Sequence, residues 1–144
     1  MIKEATLPQA KDAALLALLL WPENSLDAFI QNMKEIIRDE NSTIFLAYDQ
    51  DQAIGFAQCQ LRHDYVEGTD SSPVGYLEGL YIVDQYREKG IAKGLVQACE
   101  NWAKEKGCTE FASDCELTNV QSLEVHLKLG FTEANRIICF TKKL

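Results

Sequence analysis

Residues 79–92 decide the fold, and they read Gly-Leu-Tyr-Ile-Val-Asp-Gln-Tyr-Arg-Glu-Lys-Gly-Ile-Ala. The first part is an apolar run typical of a buried strand, and Gly90 lies where a helix begins. The first amides of a helix have no partner within the helix, and with the helix dipole they attract anions. Arg87, Lys89 and Lys93 add positive charge around them. The stretch therefore predicts a phosphate-binding turn between a strand and a helix.

The turn differs from the two common nucleotide-binding fingerprints. It contains neither G-x-G-x-x-G nor G-x-x-x-x-G-K-[ST], so we expect neither a dinucleotide fold nor a P-loop. An ordinary strand-to-helix turn is the alternative that this segment alone leaves open. Gly79 inside the apolar run predicts a β-bulge in the strand.

The pattern on either side of this turn predicts one mixed domain. The 144 residues suffice for a single core and are too few for two. Strands and helices follow one another in an order that favours an α/β (α+β) fold over residues 1–144. The periodicity predicts strands at Ile2–Ala5, Thr43–Tyr48, Ala53–Leu61, Tyr76–Val83, Glu110–Cys115 and Ile137–Lys142, and helices at Gln9–Leu20, Ser25–Arg38, Gly90–Lys106 and Thr118–Leu129.

Charge and composition exclude several classes of protein. The net charge of -8 argues against nucleic acid or an anionic membrane as a partner, because both require a basic surface, and it favours a cationic ligand. The five cysteines form no C-x-x-C pair, so we expect a reducing, cytoplasmic location and no bound metal. The most apolar run, 13–21, is far shorter than the roughly 20 residues that cross a bilayer.

Two motifs carry a resemblance to a known family. Arg87-x-x-Gly90-x-Ala92 resembles the acetyl-CoA-binding motif of the GCN5-related N-acetyltransferase (GNAT) superfamily, and 119–131 resembles its later N…LGF segment. The resemblance implies the GNAT fold, with a mixed sheet of six to seven strands, a splayed central pair and about four flanking helices. It implies acetyl-CoA as co-substrate, bound by Leu80, Tyr81, Ile82, Arg87, Glu88, Lys89, Gly90, Ile91, Ala92 and Asn119.

One position departs from the pattern of the superfamily. Many members carry a tyrosine four residues before the Gly-Phe pair, where it protonates the leaving thiolate, and this chain carries His126 there. Histidine ordinarily titrates near neutral pH, so His126 is a candidate general acid. A polar residue beside the cofactor is the alternative interpretation.

Three further segments narrow the resemblance to one subclass. Trp21-Pro22, residues 62–82 and residues 108–120 resemble the short aminoglycoside 6'-N-acetyltransferases. This implies acetyl transfer from acetyl-CoA to the 6'-amine of an aminoglycoside, which confers resistance, and it implies a homodimer. By position, the acceptor site would comprise Trp21, Tyr65, Glu78, Asp114 and Asn135.

Carboxylates suit such an acceptor, because an aminoglycoside is a polycation. A carboxylate about 4 Å from an ammonium gains roughly 4 kcal/mol at an effective dielectric of ~20, before desolvation. The amine must also lose a proton, so we expect Glu78 to act as general base in a ternary complex, directly or through water. Asp114 would hold and orient the amine. Trp21 could instead be a core anchor, and Tyr65 could simply pack the loop.

Two other functions fit the same sequence. A GNAT enzyme with the same fold could acetylate a polyamine or a protein amine. A non-catalytic module that binds coenzyme A or sequesters a ligand is the alternative from another class. Glu78 in the predicted cleft favours an enzyme. Burying a carboxylate without a partner in an apolar strand costs free energy, and a catalytic role would account for an acid at this position.

Overall fold

The computed structural model describes all 144 residues. Five strands and four helices follow one another along the chain, with short 3-10 turns at Leu7–Gln9 and Asp84–Tyr86. The bounds are Ile2–Glu4 (β1), Ala10–Leu20 (α1), Leu26–Arg38 (α2), Ser42–Asp49 (β2), Gln52–Arg62 (β3), Val74–Ile82 (β4), Ile91–Glu105 (α3), Phe111–Ser113 (β5) and Val120–Lys128 (α4). The predicted four helices are confirmed. None of them is long and apolar enough to cross a membrane.

The strands form one mixed sheet in the order β1-β2-β3-β4-β5. The first three pairings are antiparallel and the β4–β5 pairing is parallel. The mixed sheet was predicted, but six to seven strands were too many, because the sheet has five. β5 therefore lies at the edge of the sheet, and the β4–β5 pair is not central.

The missing strand is the one predicted at Ile137–Lys142. Residues 132–144 form no strand and make no backbone-to-backbone hydrogen bond. Ile138 is 81% exposed and Phe140 is 87% exposed. The prediction was wrong because an apolar, extended segment becomes a strand only where a neighbouring edge accepts its hydrogen bonds.

Two apolar layers hold the helices on opposite faces of the sheet. On one face, α1 and α2 cover the buried side chains of Ile44, Leu46 and Phe56. On the other face, α3 places Leu95 and Cys99 against the sheet. Alternating side chains of a strand point to opposite faces, so β3 and β4 present one set of residues to α1–α2 and the other set to α3.

A bulge in β4 positions the site. Cys59 of β3 pairs with Leu77, whereas the preceding residue, Gln58, pairs with Gly79. Glu78 is therefore the extra residue of the bulge, next to the glycine that predicted it. A bulge redirects the side chain that it inserts, and here it turns Glu78 towards the space beneath α1 and α2.

β4 and β5 part immediately after this point. They pair only from Gly75 opposite Phe111 to Leu77 opposite Ser113. The amide of Val83 donates to Ile54 of β3 at 2.9 Å, and backbone groups alternate in direction along an extended strand. The backbone groups of residues 80 and 82 therefore point away from β3, into the gap left by β5.

Candidate active site

An open pocket of about 440 Å³ lies between the α1–α2 layer and strands β3 and β4. Its wall combines aromatic side chains with amides and one ion pair, and it comprises Trp21, Asn24, Phe29, Asn32, Met33, Gln58, Gln60, Arg62 and Glu78. A concave site with a few convergent polar groups is the usual form of a small-molecule site. The pocket therefore brings together two of the five predicted acceptor-site residues, Trp21 and Glu78.

Glu78 is held in this pocket by Arg62 of β3. Nη2 of Arg62 lies 2.8 Å from Oε1 and 3.0 Å from Oε2, and Nε donates to Oε2 at 3.2 Å. The Glu78 side chain is 19% exposed. A two-pronged guanidinium–carboxylate contact fixes the orientation of both groups, so the Glu78 carboxylate is held in one orientation within the pocket.

Tyr76 links this ion pair to Asp114. The Arg62 guanidinium lies 3.5 Å from the centre of the Tyr76 ring, and the Tyr76 hydroxyl donates a hydrogen bond to Oδ2 of Asp114. Burial and the hydrogen bond to Asp114 raise the pKa of Tyr76, so the phenol stays neutral and remains a donor. Asp114 does not line the pocket, but it belongs to the same charged network as Glu78.

Trp21 ends α1 and lies directly over the bulge. A Cβ added at Gly79 would come 2.7 Å from Cη2 of Trp21, so only glycine allows this approach. The Trp21 ring also packs against Phe29 and Phe56, with ring centres 6.1 and 6.3 Å apart. Trp21 therefore packs with the core and also lines the pocket.

Tyr65 and Asn135 lie outside the pocket lining. Tyr65 is 76% exposed on the loop between β3 and β4. Asn135 donates to Oε1 of Glu67 on the same loop at 2.7 Å. This contact ties the C-terminal segment to the loop and does not bring Asn135 to Glu78.

The predicted anion-binding turn has the geometry that an anion requires. Gly90 precedes α3 with φ of 82°, and Glu88 has φ of 61°. No side chain caps the first amides of α3, and its first turn carries no acidic residue. Apart from Gly90 itself and its two neighbours in the chain, no atom lies within 4 Å of the place where a Cβ of Gly90 would be. The amides at the start of α3 are thus open to a phosphate group.

The other predicted cofactor residues surround this turn and the gap beside β4. Arg87 donates through Nε to the carbonyl of Ile82 at 2.8 Å and pairs with Asp84 at 3.1 Å. Its guanidinium also lies 5.4 Å from the centre of the Tyr81 ring. These contacts join the turn to the end of β4. No group of three or more histidine, cysteine or acidic side chains is arranged to hold a metal ion.

Asn119 and His126 are both engaged within the protein. Asn119 caps α4 by accepting a hydrogen bond from the amide of Ser122 at 3.1 Å, so the helix begins at Val120, two residues after the predicted start at Thr118. Nε2 of His126 lies 2.8 Å from Oγ of Ser113, and Nδ1 lies 2.7 Å from the carbonyl oxygen of Ser122. Because that carbonyl only accepts, Nδ1 carries a proton and donates to it.

The matching family model covers residues 11–131 and describes the acetyltransferase (GNAT) family. The chain belongs to this family. It is 44% identical over 137 residues to an aminoglycoside N(6')-acetyltransferase type 1 of Acinetobacter baumannii, covering 94% of this chain and 93% of that one.

Solved structures agree with this membership in the GNAT family. The chain resembles AAC(6')-Ih from Acinetobacter baumannii, with 42% identity, a TM-score of 0.95, and coverage of 100% of this chain and 98% of the other. It also resembles AAC(6')-Iy in complex with the bisubstrate analogue CoA-S-monomethyl-acetylneamine, with 38% identity, a TM-score of 0.96 and the same coverage. The chain is an acetyltransferase with the GNAT fold.

Sequence reasoning missed two residues of the site, Arg62 and Tyr76. A signal for Arg62 was present, because Gln58, Gln60 and Arg62 alternate with apolar residues along β3 and all three line the pocket. Such alternation predicts a strand with one polar face. The Tyr76–Asp114 contact carried no comparable signal, because its partners lie 38 residues apart.

Proposed function

We propose that this GNAT enzyme transfers the acetyl group of acetyl-CoA to the 6'-amine of an aminoglycoside, the modification that confers resistance to these antibiotics. The observation that carries the proposal is the oriented Glu78 carboxylate, inserted by the β4 bulge into a pocket walled by Trp21. The names of the relatives, and the bisubstrate complex of one of them, support the same acceptor.

Acetyl-CoA supplies the acetyl group as a thioester. The open amides at the start of α3 suit its pyrophosphate, since they combine unpaired N–H groups with the positive end of the helix dipole. Residues 80–82 flank the gap where β4 loses its neighbour, and the outward-facing backbone groups of Leu80 suit an amide-bearing arm. Arg87, Glu88 and Lys89 form the turn between these two places.

The protein residues must both hold and deprotonate the amine. With a pKa near 10.4, like that of lysine, the amine is neutral at pH 7 in only about 1 molecule in 2,500. Glu78 accepts the proton, directly or through water, and Asp114 orients the cationic substrate. Trp21 provides the flat wall of the acceptor pocket. Tyr65 on the loop, and Asn135 on the C-terminal segment that contacts this loop, would reach a larger substrate.

His126 is proposed as the general acid, acting through Ser113. Nε2 of His126 lies 2.8 Å from the Ser113 hydroxyl, and Ser113 is the last residue of β5 before the gap. In this step Nε2 of the doubly protonated ring gives its proton to the Ser113 hydroxyl, which passes its own proton to the thiolate in the gap, while Nδ1 keeps its proton on the carbonyl of Ser122. Both ring nitrogens are held by partners, so the ring needs no reorientation to serve this role.

The activity is tested by thiol release from acetyl-CoA in the presence of single amines. We expect release with aminoglycosides that carry a 6'-amine, and little with spermidine or lysine peptides, because the pocket combines one aromatic wall with several amides. Release with spermidine alone would contradict the aminoglycoside assignment in favour of a polyamine acetyltransferase. No release with any amine would indicate a binding module.

We also propose that the chain forms a homodimer through residues 132–144. This segment offers unpaired backbone groups and exposed apolar side chains, namely Ile137, Ile138 and Phe140. The outer edge of β5 is unpaired in the same chain. Each copy thus offers a segment that needs a partner and an edge that can supply one, which is the condition for a closed two-fold assembly.

Replacing Ile138 and Phe140 by aspartate is expected to yield a monomer. Sedimentation of the unmodified protein should give about twice the 16.2 kDa mass of one chain, whereas the variant should sediment as one chain. Leu19→Asp is the matched control, because Leu19 is an exposed leucine on α1 and does not belong to this segment. An unmodified protein that sediments as a monomer would contradict the proposal.

A further inference from the structure

The pocket contains a fixed cation at the place where a cationic substrate is expected. Arg62 contacts both oxygens of Glu78 and stacks on the ring of Tyr76 at 3.5 Å. Its side chain is 38% exposed and that of Glu78 is 19% exposed. A guanidinium with two carboxylate contacts and an aromatic stack is held far more firmly than a surface ion pair.

The charges around this cation nearly balance. Glu78 and Tyr76 of β4 and Asp114 after β5 are the titratable groups that act on Arg62. The helices opposite contribute only the neutral side chains of Asn24, Trp21, Phe29, Asn32 and Met33 to the pocket. Tyr76 is neutral, because burial and Asp114 raise its pKa. Two carboxylates and one guanidinium leave a net charge of -1.

This balance matters because binding and reaction make opposite demands. Each carboxylate close to a bound amine favours the ammonium form, which binds well but cannot attack a thioester. An opposite charge within about 4–6 Å changes the pKa of its neighbour by about 1–3. Two uncompensated carboxylates would therefore bind the cation tightly and hold it in the unreactive form.

We infer that Arg62 is a positioning residue that sets the charge of the acceptor pocket, so that the pocket attracts an ammonium group without locking it in the protonated form. This inference rests on the proposed acetylation of an aminoglycoside amine at Glu78. Arg62 acts through Glu78: it orients this pocket-lining carboxylate and offsets one of the two negative charges of the network that Glu78 and Asp114 form with it. Burial works against the charge of Arg62, but the hydrogen bonds and charge of Glu78 outweigh it and raise the pKa of Arg62. The guanidinium therefore stays charged throughout the working range.

The test is the pH dependence of kcat for Arg62→Gln, measured with an aminoglycoside that carries a 6'-amine. Removing the positive charge raises the pKa of the bound amine. The rising limb of the pH profile of kcat should therefore move to higher pH, by about one pH unit or more. At pH 7 kcat should then fall about tenfold or more, while KM for the aminoglycoside also falls, because the cation is bound more tightly. Arg62→Lys keeps the charge and should keep the position of the limb.

Asp114→Asn provides a second arm with the opposite sign. It removes a negative charge, so the limb should move to lower pH and KM for the aminoglycoside should rise. If Arg62→Gln fails to fold, an unmoved limb in Asp114→Asn would still overturn the inference, because it would show that the charge of this network does not set the pKa of the bound amine. A limb that stays in place in the folded variants, with kcat falling and KM rising together, would overturn the inference in favour of a packing role for Arg62. If the unmodified enzyme released no thiol with any aminoglycoside, the proposed function and this inference would both be wrong. If the unmodified enzyme is active but the limb of the pH profile does not move in the variants, only the inference is wrong.

Discussion

Glu78→Gln is expected to lower kcat for aminoglycoside acetylation by about 10²–10⁴, the usual contribution of a general base. Glutamine has nearly the same shape and can still accept a hydrogen bond from Arg62, so the ion pair becomes a hydrogen bond from the charged guanidinium to a neutral amide oxygen in the same place. The change removes the proton acceptor while it preserves the bulge of β4 and the wall formed by Trp21. Steady-state rates across pH 6–9 would measure the loss.

A charge-matched control separates this effect from a general change in charge. Glu105→Gln removes the same carboxylate from the exposed end of α3 and should leave kcat unchanged. KM for acetyl-CoA should stay unchanged in both variants, because Glu78 does not belong to the turn at the start of α3. An unchanged kcat and an unchanged pH profile in Glu78→Gln would show that Glu78 is not the general base.

Leu46→Ala is expected to lower the free energy of unfolding by about 2–5 kcal/mol. Leu46 lies in β2, is fully buried, and packs in the layer that holds α1 and α2 on the sheet. The truncation removes apolar contacts and leaves a cavity that the surrounding close-packed side chains fill only partly. Urea denaturation, followed by the fluorescence of the two tryptophans, would measure the change.

The same substitution at an exposed leucine tests whether burial is the cause. Leu19 projects from α1 with 58% of its surface exposed. Leu19→Ala should change the free energy of unfolding by no more than about 0.5 kcal/mol, because little apolar surface returns to water. Equal losses in the two variants would show that burial in this layer does not govern stability.

The parts of the fold that depend on local sequence were predictable. The strand, turn and helix of residues 79–92 follow from an apolar run, a glycine with positive φ and a helical period, and all three agree with the structure. Gly79 also indicated the bulge. Glu78 could be identified as a site residue because an acid inside an apolar run needs a partner or a function.

The parts that depend on distant residues were not predictable. The pattern of Ile137–Lys142 describes an extended apolar segment, but whether it joins a sheet depends on an edge elsewhere. The contact between Arg62 and Glu78 depends on the register of β3 against β4, which the bulge shifts by one residue. Propensity and periodicity do not determine that register, so the partner of Glu78 had to come from the structure.

The central claim is that the 6'-amine of an aminoglycoside receives the acetyl group. Neomycin and paromomycin provide a matched pair of substrates, because they differ in carrying an amine or a hydroxyl at the 6' position. The most direct measurement is thiol release from acetyl-CoA with each compound at equal concentration. The proposed function predicts rapid release with neomycin and only background release with paromomycin; equal rates with both, or no release with neomycin, would contradict it.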